Sequence, residues 1–279
     1  MDSIEKIHKI NLNLLKEVDR ICSKNNLDYF LESGTLLGAV RHHGFIPWDD
    51  DIDILIKREQ LQSFLDACKR DLDEKYELIM PNDFNHHFFD FVPRIIVKDS
   101  QLRNTTPEDL FYGNMQNKIA LDIFILDSAS SNKLLQKTHV LKHKIIYGLA
   151  MGHRYKMDYS KYSFCNKIFS GTLAAVGKYI ALDKILKWQE NTAIKYNNKN
   201  SNCCMVSNYI LKEIGYVFEK KWYQNTEKLQ FEDCKLNCPT GWDFILTVLY
   251  GNYMTPPKET ERIYTHMKDK ELKVSMEGK

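Results

Sequence analysis

Apolar positions along the chain fall into two kinds of run, and each kind predicts an element. At 4–24, Ile7, Ile10, Leu14, Val18 and Ile21 recur every three or four positions, the spacing that lines one face of a helix. Asn25 and Asn26 break that pattern, and Tyr29-Phe30-Leu31 then reads as a short buried strand. A brief helix over 35–42 follows Gly34, and Gly44 to Trp48, with Pro47 inside, reads as a loop. Ile52, Ile54 and Ile56 interleave with Asp51, Asp53 and Leu55, a period of two that predicts a strand. Leu61, Phe64, Leu65 and Cys68 predict a helix at 58–70. Strands are expected at 76–80, at 88–97 with a break at Pro93, and at 119–126, where Asp122 alone interrupts an apolar run.

Beyond Asp127 the helical period dominates. Helices are predicted at 132–150, 164–180 and 183–196, with short strands at 204–210 and 229–236. Thr240 and Asp243 have capping-box spacing before a helix that ends at Gly251, and the tail after Pro257 is polar. The expected fold is α+β: a mixed β-sheet flanked by helices, with a more helical C-terminal half. Residues 1–130 form the catalytic core in this reading, and 131–279 a mainly helical region packed on it as one integrated module.

Composition narrows the class. With 43% hydrophobic and 27% charged residues over 279 positions, the chain has the balance of a globular protein and not of a disordered one. The 39 lysines and arginines against 37 acids leave +2, which gives no nucleic-acid-binding surface. No apolar run approaches the ~18 residues a membrane-spanning helix needs. Acidic and basic residues from Asp2 to Lys6 interrupt any signal-peptide core. Seven scattered cysteines suit reduced thiols, so a cytoplasmic location is expected.

Candidate chemistry concentrates in acids on apolar strands. Asp51 and Asp53 are two apart and so share a face, and Asp122 repeats the arrangement on a second strand. Like charges placed together in an apolar setting are costly unless a cation compensates them. A hard divalent ion, Mg²⁺ or Mn²⁺, bound by Asp51, Asp53 and Asp122 fits that requirement and suits an in-line displacement at phosphorus. Asp49 and Asp50 fit a solvated loop as well as a site. Ser33-Gly34-Thr35 offers a tight turn and a helix N-terminus for a phosphate.

The run Ser33-Gly34-Thr35-Leu36-Leu37-Gly38-Ala39-Val40-Arg41, followed by Gly44-Phe45-Ile46-Pro47-Trp48-Asp49-Asp50-Asp51-Ile52-Asp53-Ile54, resembles the signature of the LicD family of bacterial phosphocholine transferases, itself similar to fukutin-related proteins. Leu121-Asp122-Ile123-Phe124 resembles the family's second acidic strand, and Leu249 to Pro257 its C-terminal Tyr-Gly-Asp-Tyr-Met element, with Asn252 where aspartate is frequent. Ser33 stands where many members have glycine. The resemblance implies a nucleotidyltransferase-like fold and transfer of a phospho-alcohol from a CDP-linked donor to a hydroxyl of a surface glycan or a lipid-linked glycan precursor. Asp51, Asp53 and Asp122 would be catalytic and metal-binding. Ser33, Gly34, Thr35, Arg41, Asp50 and Arg94 would contact substrate, the two arginines through phosphate, although either could equally sit in an ion pair. A nucleotidyltransferase acting on a small molecule, and a non-catalytic member of the fold, are the alternatives.

Other signals carry less. His42-His43 and His86-His87 lack zinc-motif spacing, as do Cys203, Cys204, Cys234 and Cys238. The stretch from Phe164 to Trp188 is amphipathic and carries Lys167, Lys178, Lys184 and Lys187. It suits either packing on the core or peripheral contact with the inner face of a plasma membrane.

Overall fold

The apolar stripe of the first segment produces a single helix, α1 (Ser3–Asn25), with Ile7, Leu14, Val18 and Ile21 fully buried. In a computed structural model, which describes residues 3–156 and 164–258, α1 lies against a mixed sheet. After β1 (Phe30–Leu31) and α2 (Ser33–His42), the isoleucine-rich segment forms β2 (Ile52–Lys57), buried on both faces. The helix α3 (Arg58–Asp71) leads into β3 (Tyr76–Ile79) and β4 (Arg94–Val97), and α4 (Pro107–Phe111) precedes β5 (Ala120–Ala129). The order is β1-β2-β5-β4-β3, with β2 and β5 parallel and the other neighbours antiparallel.

Beyond residue 130 the chain builds α5 (Lys133–Ala150), α6 (Phe164–Gly177) and α7 (Leu182–Ala193), then returns to the same sheet. There β6 (Cys203–Val206) pairs with the second half of β5, and β7 (Phe218–Glu219) pairs with β6. The gap on β5 between β4 and β6 is filled by a side chain. Asn208 accepts from the Ile125 amide at 2.9 Å and donates to the Ile123 carbonyl at 3.0 Å. A hairpin, β8 (Thr226–Phe231) and β9 (Cys234–Pro239), covers β1 and α2, and α8 (Trp242–Tyr250) packs on α2. One core of buried side chains runs from Ile7 to Tyr253. A second joins α5, α6 and α7 to Phe88 and Phe91. This is the expected α+β architecture.

Several local expectations are corrected. The strand expected at 88–97 begins only at Arg94, because Pro93 has no N–H to donate and the preceding residues turn around Asp90, whose carboxylate accepts from the Val92 amide at 2.8 Å. The strand expected at 204–210 ends at Val206, where Asn208 replaces backbone pairing. The single strand expected at 229–236 is part of a hairpin, with Glu232 in the left-handed region at φ 53°. Thr240 and Asp243 form no capping box. Gly241 occupies the N-cap, and the Asp243 carboxylate accepts from the Tyr253 hydroxyl. The polar tail past Lys258 lies outside the described residues.

Candidate active site

Register brings the acids together. On parallel β2 and β5, Asp53 is paired with Asp122, and on the other side of Asp122 its antiparallel partner is Arg94 on β4. Directly paired residues project from the same face of a sheet, so these three side chains form a row across three strands. Arg94 is buried, and its guanidinium is set against two carboxylates and a carbonyl. Its Nε and Nη2 meet the two Asp122 oxygens at 2.7 and 3.0 Å, and Nη1 and Nη2 meet those of Asp90 at 2.9 and 2.6 Å. Nη1 also donates to the Val92 carbonyl at 3.1 Å. Phe84 and Phe89 lie against the guanidinium. Arg94 therefore holds Asp122 in place.

The acidic loop before β2 is held from behind by α1. His8 Nε2 bonds to the Asp49 carbonyl at 2.7 Å, and Asn11 donates to the Asp50 carbonyl at 3.1 Å. Ligand atoms of Asp49, Asp50 and Asp51 all lie within 4.8 Å of one another. Asp50 is buried, contrary to a solvated-loop reading.

The Ser33-Gly34-Thr35 turn divides its work differently from expectation. The left-handed conformation falls on Ser33, at φ 48°, and not on Gly34. What Gly34 supplies is space, since a Cβ there would stand 2.5 Å from Asp49 Oδ2. Thr35 Oγ1 accepts from the Asp53 amide at 2.8 Å, and the Glu32 amide donates to the Asp53 carbonyl at 3.1 Å. These bonds tie the turn to the acid-bearing strand. Arg41 Nη1 donates to the Tyr253 carbonyl at 2.6 Å, joining α2 to the C-terminal element.

The electrostatics follow from this crowding. Burial, then the charges of Asp51, Asp122, Asp49 and Glu32, push the Asp53 carboxyl well above its ordinary range. Burial and the neighbouring Asp51 raise Asp49 to about 9. Asp122 rises to about 6, because burial and nearby acids outweigh the opposing pull of Arg94. Glu32, fully buried, rises to about 7 through desolvation, although the Tyr209 hydroxyl donates to one of its oxygens. The other Glu32 oxygen is buried without a hydrogen bond. At the rim, desolvation and the charges of Asp53 and Glu32 drive the Tyr250 phenol far upward.

A site so rich in carboxylate oxygens, with protonation forced on several of them, has the donor chemistry of a hard divalent cation. Asp49, Asp50 and Asp51 lie close enough together to share such an ion, and Asp53 and Asp122 stand beside them on β2 and β5. Among the described residues the histidines and cysteines form no such group. His43 caps α2 and His87 stacks on Phe111.

Sequence reasoning gave no role to Glu32, Asp90, Tyr209 or Tyr250, and left Asp49 between loop and site. Two signals were present: an acid at the end of the apolar run Tyr29-Phe30-Leu31, and an acid four positions before Arg94 in an aromatic segment. A cleft of about 1090 Å³ lies at the opposite end of β2 and β5. At its floor Arg58 grips buried Asp127 with two 2.8 Å bonds, an arrangement that braces the sheet.

Residues 26–146, which hold every acid of the site, match the family described as LicD/FKTN/FKRP, nucleotidyltransferase domain. That stretch of the chain is similar to a LicD nucleotidyltransferase domain. Similarity extends beyond it. The lipopolysaccharide cholinephosphotransferase LicD of Haemophilus influenzae is 27% identical over 271 residues, covering 92% of this chain and 94% of that protein. An uncharacterised protein of Rickettsia prowazekii, RP689, is 34% identical over 131 residues, 47% of this chain and 38% of its own length. A second, RT0683 of Rickettsia typhi, is 59% identical over 46 residues, 16% of this chain and 15% of its own. The near-complete overlap with an enzyme means that the region following residues 26–146 is shared as well.

Proposed function

We propose that this chain is a transferase that moves phosphocholine, or a closely related phospho-alcohol, from a CDP-linked donor to a hydroxyl of a cell-surface glycan or its lipid-linked precursor, releasing CMP. The observation that carries the reading is the in-register pair Asp53 and Asp122 facing the Asp49–Asp51 loop, within a chain alignable almost end to end with a cholinephosphotransferase. A Mg²⁺ or Mn²⁺ ion held by Asp51, Asp53 and Asp122 would supply charge neutralisation for the donor's phosphates. The protein's own contribution is positioning. The N-terminal turn of α2, at Gly34 and Thr35, presents backbone amides beside the acids for a phosphate oxygen. Ser33 and Asp50 border the same space. Asp122 is committed to Arg94 on both oxygens, so removal of the acceptor hydroxyl proton falls to Asp53. The described cysteines form no disulfide, which supports a reducing, cytoplasmic setting.

The test is product analysis. Purified protein incubated with CDP-choline, CDP-ethanolamine or a CDP-polyol, a glycan acceptor and Mg²⁺ is expected to release CMP, and to stop when excess EDTA is added. Pyrophosphate released from CTP in place of CMP would establish the nucleotidyltransferase reading instead. Undiminished turnover in EDTA would remove the metal from the site.

A further inference from the structure

The inward side of helix α6 packs closely on α5: Leu173 lies against Gly148, Ala174 and Gly177 are buried, and at Gly177 a Cβ would collide with the Leu149 backbone. Other large apolar side chains face outward. Ile168 is 55% exposed, Phe169 53% and Val176 51%, and Tyr179, just past the helix, is 93% exposed. At 100° per residue, positions 168, 169, 172, 175 and 176 fall on one arc of the helix. The hydroxyl of Thr172, the polar member of that arc, donates back to the Ile168 carbonyl at 2.8 Å. A soluble helix turns its large apolar residues toward the core, and this one shows several of them to the surroundings.

Charge provides a second, independent observation. Residues 131–200 hold thirteen of the 39 lysines and arginines but three of the 37 acids, a formal charge of +10 in a chain whose total is +2. Exposed Lys167 and Lys178 flank the apolar arc of α6 at its two ends. Apolar side chains bordered by long cationic ones match a bilayer surface, where the former enter the acyl boundary and the latter reach anionic headgroups. Among the described residues no helix is long and apolar enough to cross a membrane, so the contact is peripheral.

We propose that the outer face of α6 docks on an anionic lipid bilayer. A membrane-borne acceptor, which rests on the function proposed above, would give that contact its use. The experiment is flotation of the full chain with vesicles of phosphatidylglycerol and phosphatidylcholine, without donor or acceptor, so that it is independent of catalysis. The wild type is expected to float with anionic vesicles and to be released by high salt. K167Q/K178Q should bind about 25-fold more weakly, at about fivefold per lysine. F169D/V176D should not float, and both variants should keep wild-type turnover on a water-soluble acceptor. D53N, inactive, should float as the wild type does. Failure of the wild type to bind, or binding by either surface variant within twofold of wild type, would overturn the proposal. So would a concentration-dependent dimer that F169D/V176D dissolves, which would assign the face to a second copy of the chain.

Discussion

Replacing Asp53 by asparagine should make the cation-free protein more stable while destroying its activity. Asp53 and Asp122 are paired across adjacent strands, a spacing of about 5 Å. At an effective dielectric constant of about 20, two unit charges at that distance repel by roughly 3 kcal/mol. Arg94 cancels part of the Asp122 field, while Asp51 and Asp49 add to the repulsion felt by Asp53. A net gain of about 2 kcal/mol, or roughly 4 °C in melting temperature, is therefore expected for Asp53→Asn in EDTA. The sign with pH follows from the upward displacement of the Asp53 carboxyl. Stability is intact while the group is protonated in both folded and unfolded chains, and declines once pH passes the ordinary carboxylate range. The advantage of the variant should be small near pH 4 and should grow as pH rises above it. Saturating Mg²⁺ should reverse the order, because the wild type gains about 3 kcal/mol at a hundredfold excess over its dissociation constant and the variant little. Thermal melts of both proteins in EDTA and in Mg²⁺ check this crossing. A variant that melts below the wild type in EDTA, or a wild type indifferent to Mg²⁺, would refute the electrostatic account.

Two further substitutions probe the site's surroundings. In Gly34→Ala the added methyl meets the mobile end of Asp49, 2.5 Å away. Stability should change by less than about 1 kcal/mol, whereas turnover should fall at least about tenfold through a misplaced carboxylate. Paired melts and initial rates separate the two effects. Glu32→Gln keeps an oxygen for the Tyr209 hydroxyl but removes a buried carboxyl raised from the ordinary 4.5 to about 7. Wild-type stability should be complete below pH 4.5 and fall as pH rises through about 7, by up to roughly 3 kcal/mol. The glutamine variant should lack that slope in urea titrations at pH 5 and 8, and an unchanged slope would clear Glu32 of the effect.

Elements with a strict internal period were legible in the sequence. Helix α1 and strand β2 stand where their apolar spacing put them, and so do Asp53 and Asp122, because a charge inside an isoleucine run stands out. The losses occur where a distant partner decides the local form. The turn at Glu232 has no glycine or asparagine to announce it. It is held because the Glu232 amide donates to the His43 carbonyl and its carboxylate accepts from the Phe45 amide. Thr240 and Asp243 have the right spacing for a cap, yet Tyr253 takes the Asp243 carboxylate. Arg41 and Arg94 look alike as phosphate ligands in one dimension. Only the tertiary structure shows both engaged with groups of the chain, Arg41 across more than two hundred positions.

The bonds from Arg41 to Tyr253 and from Tyr209 to Glu32 have a consequence for biosynthesis. Each spans most of the polypeptide, with separations of 212 and 177 residues. Contacts of such range form late and slowly. A ribosome-bound chain that has already emerged through Asp122 carries every acid of the cluster but neither of these closures. The nascent protein would thus carry the complete acid cluster without these ties until Tyr253 has left the exit tunnel, and a premature stop between Asp122 and Tyr209 would leave the signature motif intact and both closures missing.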